Sequence, residues 1–155
     1  ATGTKAMGML ETNKGGVMLV QGEDSEGIIR ERLNLIAMSR GIHSDQLDKV
    51  NILAGHPFHL DNEEHFAWLQ NQVREQRPSL LILDPFIRLI PHTSENSSAG
   101  VSKVLGTLRA LQRETGTTIM VVHHYGKDGT PRGSSDFHGW LDAGFYLTKP
   151  SEQIT

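Results

Sequence analysis

Polar side chains follow three apolar segments of the chain. Glu23 and Asp24 follow VMLVQG, Asp84 follows LLIL, and His123 and His124 follow TTIMVV. One carboxylate can hold Mg²⁺ through the water shell that this ion keeps, and a second can orient a water for attack on a phosphate. A histidine can donate a hydrogen bond to the terminal phosphate. If the fold brings the three clusters together, they predict hydrolysis of a magnesium-bound nucleoside triphosphate.

Each cluster also has a purely structural interpretation. Asp84 could simply begin a turn. Glu23 and Asp24 could cap the next helix and favour its dipole. One histidine could be buried while the other is exposed to solvent. The functional prediction therefore depends on the elements that position these residues.

The pattern of apolar residues predicts alternating strands and helices. Short apolar runs predict strands at residues 17–21, 50–53, 80–84, 117–124 and 144–148. Apolar residues at helical spacing predict helices at residues 25–40, 61–76 and 101–115, with Asp61 as the N-cap of the second. WLDA, at residues 140–143, is predicted to be a short helical piece. Residues 90–100 are polar and aperiodic, which predicts a loop.

This order of elements predicts an α/β fold with a mostly parallel sheet and helices on both of its faces. In such sheets, ligands bind beyond the carboxyl ends of the strands. Because each of the three polar clusters follows a strand, all three are expected at the same edge. That arrangement favours the interpretation of Asp84 as a metal-associated acid over the interpretation as a turn residue.

Composition limits the other possibilities. The 155 residues suffice for one domain, and the formal charge of −3 gives no sign of non-specific nucleic-acid binding. The absence of cysteine excludes disulfides and thiol catalysis. No apolar run approaches the roughly 18 residues of a membrane span. These features predict a soluble, cytoplasmic protein.

Four segments together resemble a known family. They are VMLVQGEDSEGIIRERL, LLILDPFIRL with SENSS downstream, VSKVLGTLRALQRETGTTIMVVHHYGKDG and RGSSDFHGWLDAGFYL. In this order and spacing they resemble the RecA-like ATPase core of the RepA-type hexameric replicative helicases and their AAA-annotated relatives, akin to the DnaB and KaiC branch. The resemblance extends from about residue 17 to residue 148.

The resemblance implies roles for the residues at the predicted sheet edge. Glu23 matches the acid that activates the hydrolytic water in the family. Asp84 matches the Walker B acid, which is associated with Mg²⁺ through water. His123 and His124 match the position that couples the γ-phosphate to loops contacting DNA, and either of them could face the nucleotide.

The resemblance also implies cofactors and partners. ATP and Mg²⁺ are the expected cofactors, a homo-oligomeric ring such as a hexamer is the expected assembly, and single-stranded DNA is an expected partner. Arg132, with Lys127 nearby, falls where the family often places a basic residue that reaches a neighbouring subunit's phosphates. An arginine in such a glycine-rich loop is also often simply solvated. Arg109 and Arg113 are further candidates for DNA contact, although their spacing is typical of an exposed helix face.

The chain departs from the family in its phosphate-binding loop. No GxxxxGK[ST] sequence is present: Lys5 in GTKAMG lacks the glycine spacing, and Lys14 in NKGG is not followed by Ser or Thr. The resemblance implies that this loop and its strand precede Ala1, so that residues 1–155 form a partial, N-terminally truncated RecA-like domain. We therefore expect the chain alone to bind ATP poorly and to be inactive.

Two other functions compete with this prediction. The eight histidines, which include HPFH at residues 56–59, suggest a metal-dependent hydrolase, but the chain has no HExxH-type helical spacing. The second alternative is a RecA-like regulatory or scaffold module that has lost catalysis. Glu23→Gln distinguishes this second alternative, because the substitution abolishes turnover only if the protein is an ATPase.

Overall fold

The computed structural model describes residues 1–6, 8–93, 98–124 and 136–147. Within them, strands and helices alternate along the chain. The strands are β1 (Val17–Gln21), β2 (Val50–Leu53), β3 (Leu80–Asp84) and β4 (Thr118–Val121). The helices are α1 (Glu26–Ser39), α2 (Glu63–Gln76), α3 (Ser98–Thr115) and α4 (Asp136–Trp140). One 3₁₀ turn, Ser44–Leu47, lies between α1 and β2, and a second, Phe86–Leu89, lies between β3 and α3.

The four strands form one parallel sheet in the order β2-β1-β3-β4. β1 and β3 are therefore the central strands, and β2 and β4 lie at the edges of the sheet among the described residues. Parallel neighbours require a crossover connection, which the helices provide. The predicted α/β fold with a parallel sheet is confirmed, and the arrangement is consistent with a RecA-like fold.

One cluster of buried apolar side chains joins the central strands to α2 and α3. Alternate residues of each central strand enter it because successive side chains of a strand point to opposite faces. The helical members recur every three or four residues, as expected for one buried helix face. The cluster includes Met18, Val20, Leu81, Leu83, Phe66, Leu69, Val73, Val101, Val104, Leu105, Leu108 and Leu111.

The N-cap of α2 is Asn62, not Asp61 as predicted. The Asn62 side chain accepts hydrogen bonds from the backbone amides of Glu64 and His65, both at 3.0 Å. Asp61 instead accepts a hydrogen bond from the backbone amide of His92, at 2.7 Å. Asp and Asn cap helices about equally well. The sequence could not distinguish the two neighbours, because the contact that engages Asp61 is made by a distant loop.

The ends of two other elements differ from the prediction. α3 begins at Ser98 rather than at residue 101. β4 ends at Val121, so His123 and His124 follow the strand rather than belong to it. Val122 still donates its amide to the carbonyl of Leu83, at 3.0 Å, which keeps this segment beside β3. Both histidines therefore lie at the carboxyl edge of the sheet, just beyond the end of β4.

The predicted strand at residues 144–148 is wrong over residues 144–147, and Thr148 lies outside the described residues. Phe145 and Leu147 are 79% and 87% exposed. β-Propensity reflects packing in a sheet, so a short run of strand-forming residues without a partner does not become a strand. The short helix is α4, which includes only Trp140 of the predicted WLDA piece.

Candidate functional site

The register of the parallel strands brings the predicted polar clusters to one edge of the sheet. Gln21 pairs with Asp84, and Leu83 pairs with Val121, so β1, β3 and β4 end at the same level. A cleft of about 500 Å³ lies at this edge. It is lined by Glu23, Ile87, Arg88, Ile90, Pro91, Thr93, His123 and His124. The prediction that these clusters converge at the carboxyl ends is confirmed for the residues that the structure describes.

Gln21 connects the two acids of the edge. Its side chain is buried, its Nε2 donates to Asp84 Oδ2 at 3.3 Å, and its Oε1 accepts the backbone amide of Glu23 at 2.9 Å. The amide of Gly22 also donates to the Asp84 carbonyl, at 2.8 Å. Gln21 therefore sets the position of Glu23 relative to Asp84. The sequence signal for this role is a polar residue at the end of the apolar run VMLVQ.

Arg88 is a second residue that sequence reasoning missed. It lies in the 3₁₀ turn Phe86–Leu89, directly after β3, and its Nε donates to Glu23 Oε1 at 3.0 Å. Gly22 makes this approach possible, because a Cβ at Gly22 would lie 2.8 Å from Arg88 Cβ. The other carboxylate oxygen of Glu23 has no hydrogen-bond partner among the described residues. Glu23 is thus held on one side while it lines the cleft.

The electrostatic environment of Asp84 is dominated by burial and by other acids. Burial raises the pKa of the Asp84 carboxyl, and the negative charge of Glu23 raises it further. His124 acts in the opposite direction and lowers this pKa. Asp24 is a weaker influence that raises it, and the Gln21 hydrogen bond slightly lowers it. The surroundings of Asp84 therefore make its charged form less favourable than that of an aspartate in water.

The two neighbouring acids have arginine partners, whereas no arginine among the described residues pairs with Asp84. Glu23 pairs with Arg88 at 3.0 Å, and Asp24 pairs with Arg32 at 2.5 Å. Within the described part of the chain, the one side chain that donates a hydrogen bond to the Asp84 carboxylate is the neutral amide of Gln21. A cation beside Asp84 would favour its charged form.

The structure separates the surroundings of the two histidines. The His123 ring stacks on Phe137, with ring centroids 4.7 Å apart and an interplanar angle of 22°. Phe137 is buried against Phe86, so this contact anchors His123 to the core. His124 is exposed, lines the cleft and influences the charge of Asp84.

The basic residues of the prediction are placed only in part. Arg132 and Lys127 lie outside the described residues. Arg109 contacts the C-terminal segment: it donates to the Trp140 carbonyl and pairs with Asp142 at 2.8 Å. Its guanidinium also lies 5.2 Å from the centre of the Trp140 ring. These contacts give Arg109 a structural role in holding the end of α4 against α3.

Among the helices that the structure describes, none combines the length and the apolar character needed to cross a membrane.

The sequence matches a known family over most of its length. The model of an AAA domain family matches residues 1–130, which include Glu23, Asp84, His123 and His124. A comparison with curated proteins finds no match. Because the family match covers well over half of the 155 residues, the chain belongs to this AAA domain family, a membership that indicates a nucleotide-hydrolysing module.

Proposed function

We propose that the carboxyl edge of this sheet is the magnesium-associated half of an ATPase site. Asp84 would hold Mg²⁺ through water, Glu23 would orient the attacking water, and His124 would contact the terminal phosphate. The observation that carries this proposal is the environment of Asp84. Its carboxyl is partly buried beside two other acids, and its pKa is raised, while both neighbouring acids have arginine partners.

The residues at the edge fit a hydrated magnesium ion. Mg²⁺ binds carboxylate oxygens, usually one or two of them, and keeps most of its waters. When bound, the ion would neutralise charge on the phosphates during transfer. Asp84 supplies the carboxylate, and the Gln21 side chain fixes the orientation of that carboxylate by its hydrogen bond. This chain's contribution is to position the acid before the ion arrives.

Glu23 is arranged to act on a water in the cleft. One of its oxygens accepts the hydrogen bond of Arg88, and its backbone amide is held by Gln21. Glu23 is therefore held at one carboxylate oxygen and at its backbone amide while it lines the cleft. A fixed carboxylate that accepts a proton from water, or only orients it, lowers the barrier to attack on a phosphate.

His124 is the better candidate for the residue that contacts the nucleotide. His123 is stacked on Phe137 and contributes to the wall of the cleft. His124 is exposed in the cleft and close enough to Asp84 to influence its pKa. Loss of the terminal phosphate would change the charge facing His124, which supports a role in reporting the state of the nucleotide.

We also propose that the module works as a ring-forming motor on single-stranded DNA, with Arg132 and Lys127 reaching the neighbouring subunit. The family resemblance supports this, and α1 offers a surface for a second copy. Ile28, Leu35 and Met38 share one face of α1 and are 42%, 60% and 75% exposed. Light scattering should show a smaller assembly for Leu35→Glu than for the control Asn34→Glu, and fluorescence anisotropy with an oligonucleotide tests the DNA contact.

The ATPase proposal is tested by Glu23→Gln in a protein that includes the phosphate-binding loop expected upstream of Ala1. Removal of a general base typically costs about 10²- to 10⁴-fold in turnover, and we expect a loss in that range with little change in KM. Glu31→Gln, an exposed acid on α1, is the matched control and should keep normal turnover. Equal turnover for both variants would favour the scaffold function instead.

The 155-residue chain alone provides a second test. Its sequence contains no GxxxxGK[ST] loop, which is the main source of backbone amides for the phosphates. We expect calorimetry to show weak ATP binding by this chain. Binding at micromolar concentrations would show that other residues supply the phosphate contacts.

A further inference from the structure

A second group of metal-binding side chains lies where two loops meet. His59 and Asp61 precede α2, and His92 follows the 3₁₀ turn Phe86–Leu89. One ligand atom from each of the three side chains lies within 4.8 Å of the others. The rings of His59 and His92 also contact each other, with centroids 5.2 Å apart and an interplanar angle of 82°. The sequence suggested metal binding by its histidines, HPFH at residues 56–59 among them, but it did not indicate this set of three, because the ligands come from two loops and not from one helix.

We propose that His59, Asp61 and His92 form a binding site for a divalent transition-metal ion of the zinc type. Two imidazoles and one carboxylate are a donor set that suits Zn²⁺, whereas Mg²⁺ and Ca²⁺ prefer oxygen ligands alone. The site differs from the magnesium edge in its residues and in its chemistry. The ligand of this site would be the metal ion alone, with water completing its coordination.

Asp61 provides an independent sign of a missing partner. Its Oδ2 accepts the backbone amide of His92 at 2.7 Å, while its Oδ1 is buried and has no hydrogen-bond partner among the described residues. A buried carboxylate oxygen without a donor is costly. A cation held between Asp61 and the two imidazoles would satisfy this oxygen.

The backbone of both loops is already fixed. The Leu60 amide donates to the Leu89 carbonyl at 2.5 Å, and the Thr93 amide donates to the Ile90 carbonyl at 3.0 Å. Leu60 and Ile90 are buried, so each loop is anchored in the core beside its ligands. His65 supports His59, because its Nδ1 accepts the His59 amide at 3.1 Å. Such outer contacts orient the ligands of known metal sites.

The ligand atoms need only a small adjustment to bind an ion. Zinc lies about 2.0–2.2 Å from nitrogen and oxygen ligands, so two ligands of one ion are separated by roughly 3 to 4 Å. The present spacing, up to 4.8 Å, would close by side-chain rotation. His92 is exposed and can rotate without disturbing the core.

The proposed metal site would hold one wall of the cleft in place. Ile90, Pro91 and Thr93 line the cleft, and His92 lies between them in the same loop. A metal bound to His92 and to the loop before α2 would tie this wall to the region that follows β2. The proposed metal is therefore a structural tie, and its binding does not depend on the ATPase proposal.

The test is zinc binding by the chain after treatment with EDTA and dialysis. We expect calorimetry and elemental analysis to show one Zn²⁺ per chain, Co²⁺ to give the visible absorption of a low-coordinate nitrogen and oxygen site, and Zn²⁺ to raise Tm. His92→Ala and Asp61→Asn should each weaken binding by at least about 10-fold. His56→Ala removes an exposed histidine of the same loop and should bind as the wild type does.

Three results would overturn the proposal. They are no stoichiometric Zn²⁺ binding by the wild type, wild-type affinity in His92→Ala, and an equal loss in His56→Ala, which would indicate adventitious binding to surface histidines. Circular dichroism checks that each variant is folded. If Asp61→Asn does not fold, the comparison of His92→Ala with His56→Ala decides the question.

Discussion

Arg88 Nε donates a hydrogen bond to Glu23 Oε1 at 3.0 Å, across the turn that follows β3. This contact joins a residue after β1 to a residue after β3, on the wall of the cleft. It is an exposed ion pair, so its effect on stability should be below about 1 kcal/mol. Its importance lies in the orientation of Glu23.

Arg88→Ala should therefore reduce turnover more than stability. Under the proposed ATPase function, we expect ATP hydrolysis to fall by about 10- to 100-fold, because a small displacement of a catalytic group has effects of this size. Steady-state kinetics and urea unfolding measure the two quantities. Arg30→Ala, which breaks the comparable pair with Glu26 on α1, is the control and should leave turnover unchanged. A loss of equal size in both variants would contradict the positioning role.

Gln21→Met should destabilise the fold. The substitution keeps the volume of the buried side chain but removes the donor to Asp84 and the acceptor of the Glu23 amide. Unsatisfied buried partners typically cost about 1–3 kcal/mol, and we expect a loss of that size in urea unfolding. Gln70→Met on α2, whose side chain has no hydrogen bond among the described residues, should change stability by less than about 0.5 kcal/mol.

Asp84→Asn should stabilise the protein while it removes magnesium-dependent turnover. Burial and the charge of Glu23 raise the pKa of Asp84, so the folded state keeps this proton to a higher pH than the unfolded state does. Stability therefore falls as pH rises from the ordinary aspartate pKa to the raised one. Asparagine removes this loss, and we expect a gain of up to about 1 kcal/mol at neutral pH, limited by the partial exposure of the carboxyl.

Asp142→Asn is the control, because the effect of Asp142 on the pH dependence of stability has the opposite sign. Its hydrogen bond with Arg109 lowers the pKa of Asp142, so the unfolded state binds the proton more tightly. The stabilisation that Asp142 contributes to the fold is present above the ordinary aspartate pKa and is lost as pH falls through the lowered pKa. Unfolding at several pH values should show the two opposite slopes. If the stability of Asp84→Asn depended on pH as that of the wild type does, Asp84 would not be the acid whose raised pKa lowers stability.

Gly22→Ala should disturb the site by steric contact. A Cβ at this position would lie 2.8 Å from Arg88 Cβ and 3.2 Å from Leu89 Cδ2, so the turn after β3 has to move. Overpacking of this kind costs about 1–3 kcal/mol, and the Arg88 to Glu23 contact should be lost with it. Gly27→Ala on α1 meets nothing within 4 Å and should stabilise the helix by about 0.5–1 kcal/mol. Thermal unfolding compares the two variants.

Much of the fold could be predicted because it rests on local patterns. The helical spacings that predicted α1 to α3 reflect one buried helix face, and the apolar runs that predicted β1 to β4 are typical of strands in a covered parallel sheet. Both patterns are visible in the sequence. Residues 144–147 were assigned wrongly because a strand needs a partner that local sequence does not reveal. Asp61 was assigned wrongly as a cap because its partner, His92, lies in a distant loop.

The candidate site was predictable where it depends on the order of the strands, and not where it depends on contacts between side chains. Glu23, Asp84 and the two histidines could be assigned to one edge because parallel strands all present their carboxyl ends there. Gln21 and Arg88 were missed because their roles consist of contacts with other site residues. No spacing rule links His59 to His92, and their loops are joined by the hydrogen bonds of Leu60 with Leu89 and of Asp61 with His92.

Gln21 and Asp84 occupy the same rung of the two central strands. The hydrogen-bonded ladder therefore fixes Asp84 relative to Gln21, while Glu23 lies two residues beyond the end of β1 and is held to the Gln21 side chain by its backbone amide. Moving Asp84 relative to Gln21 would break that ladder, whereas moving the Glu23 side chain would not. Under the proposed ATPase function, a response to nucleotide is therefore expected in the parts of the cleft outside the ladder, which are Glu23, the turn with Arg88, the loop of residues 90–93 and His124.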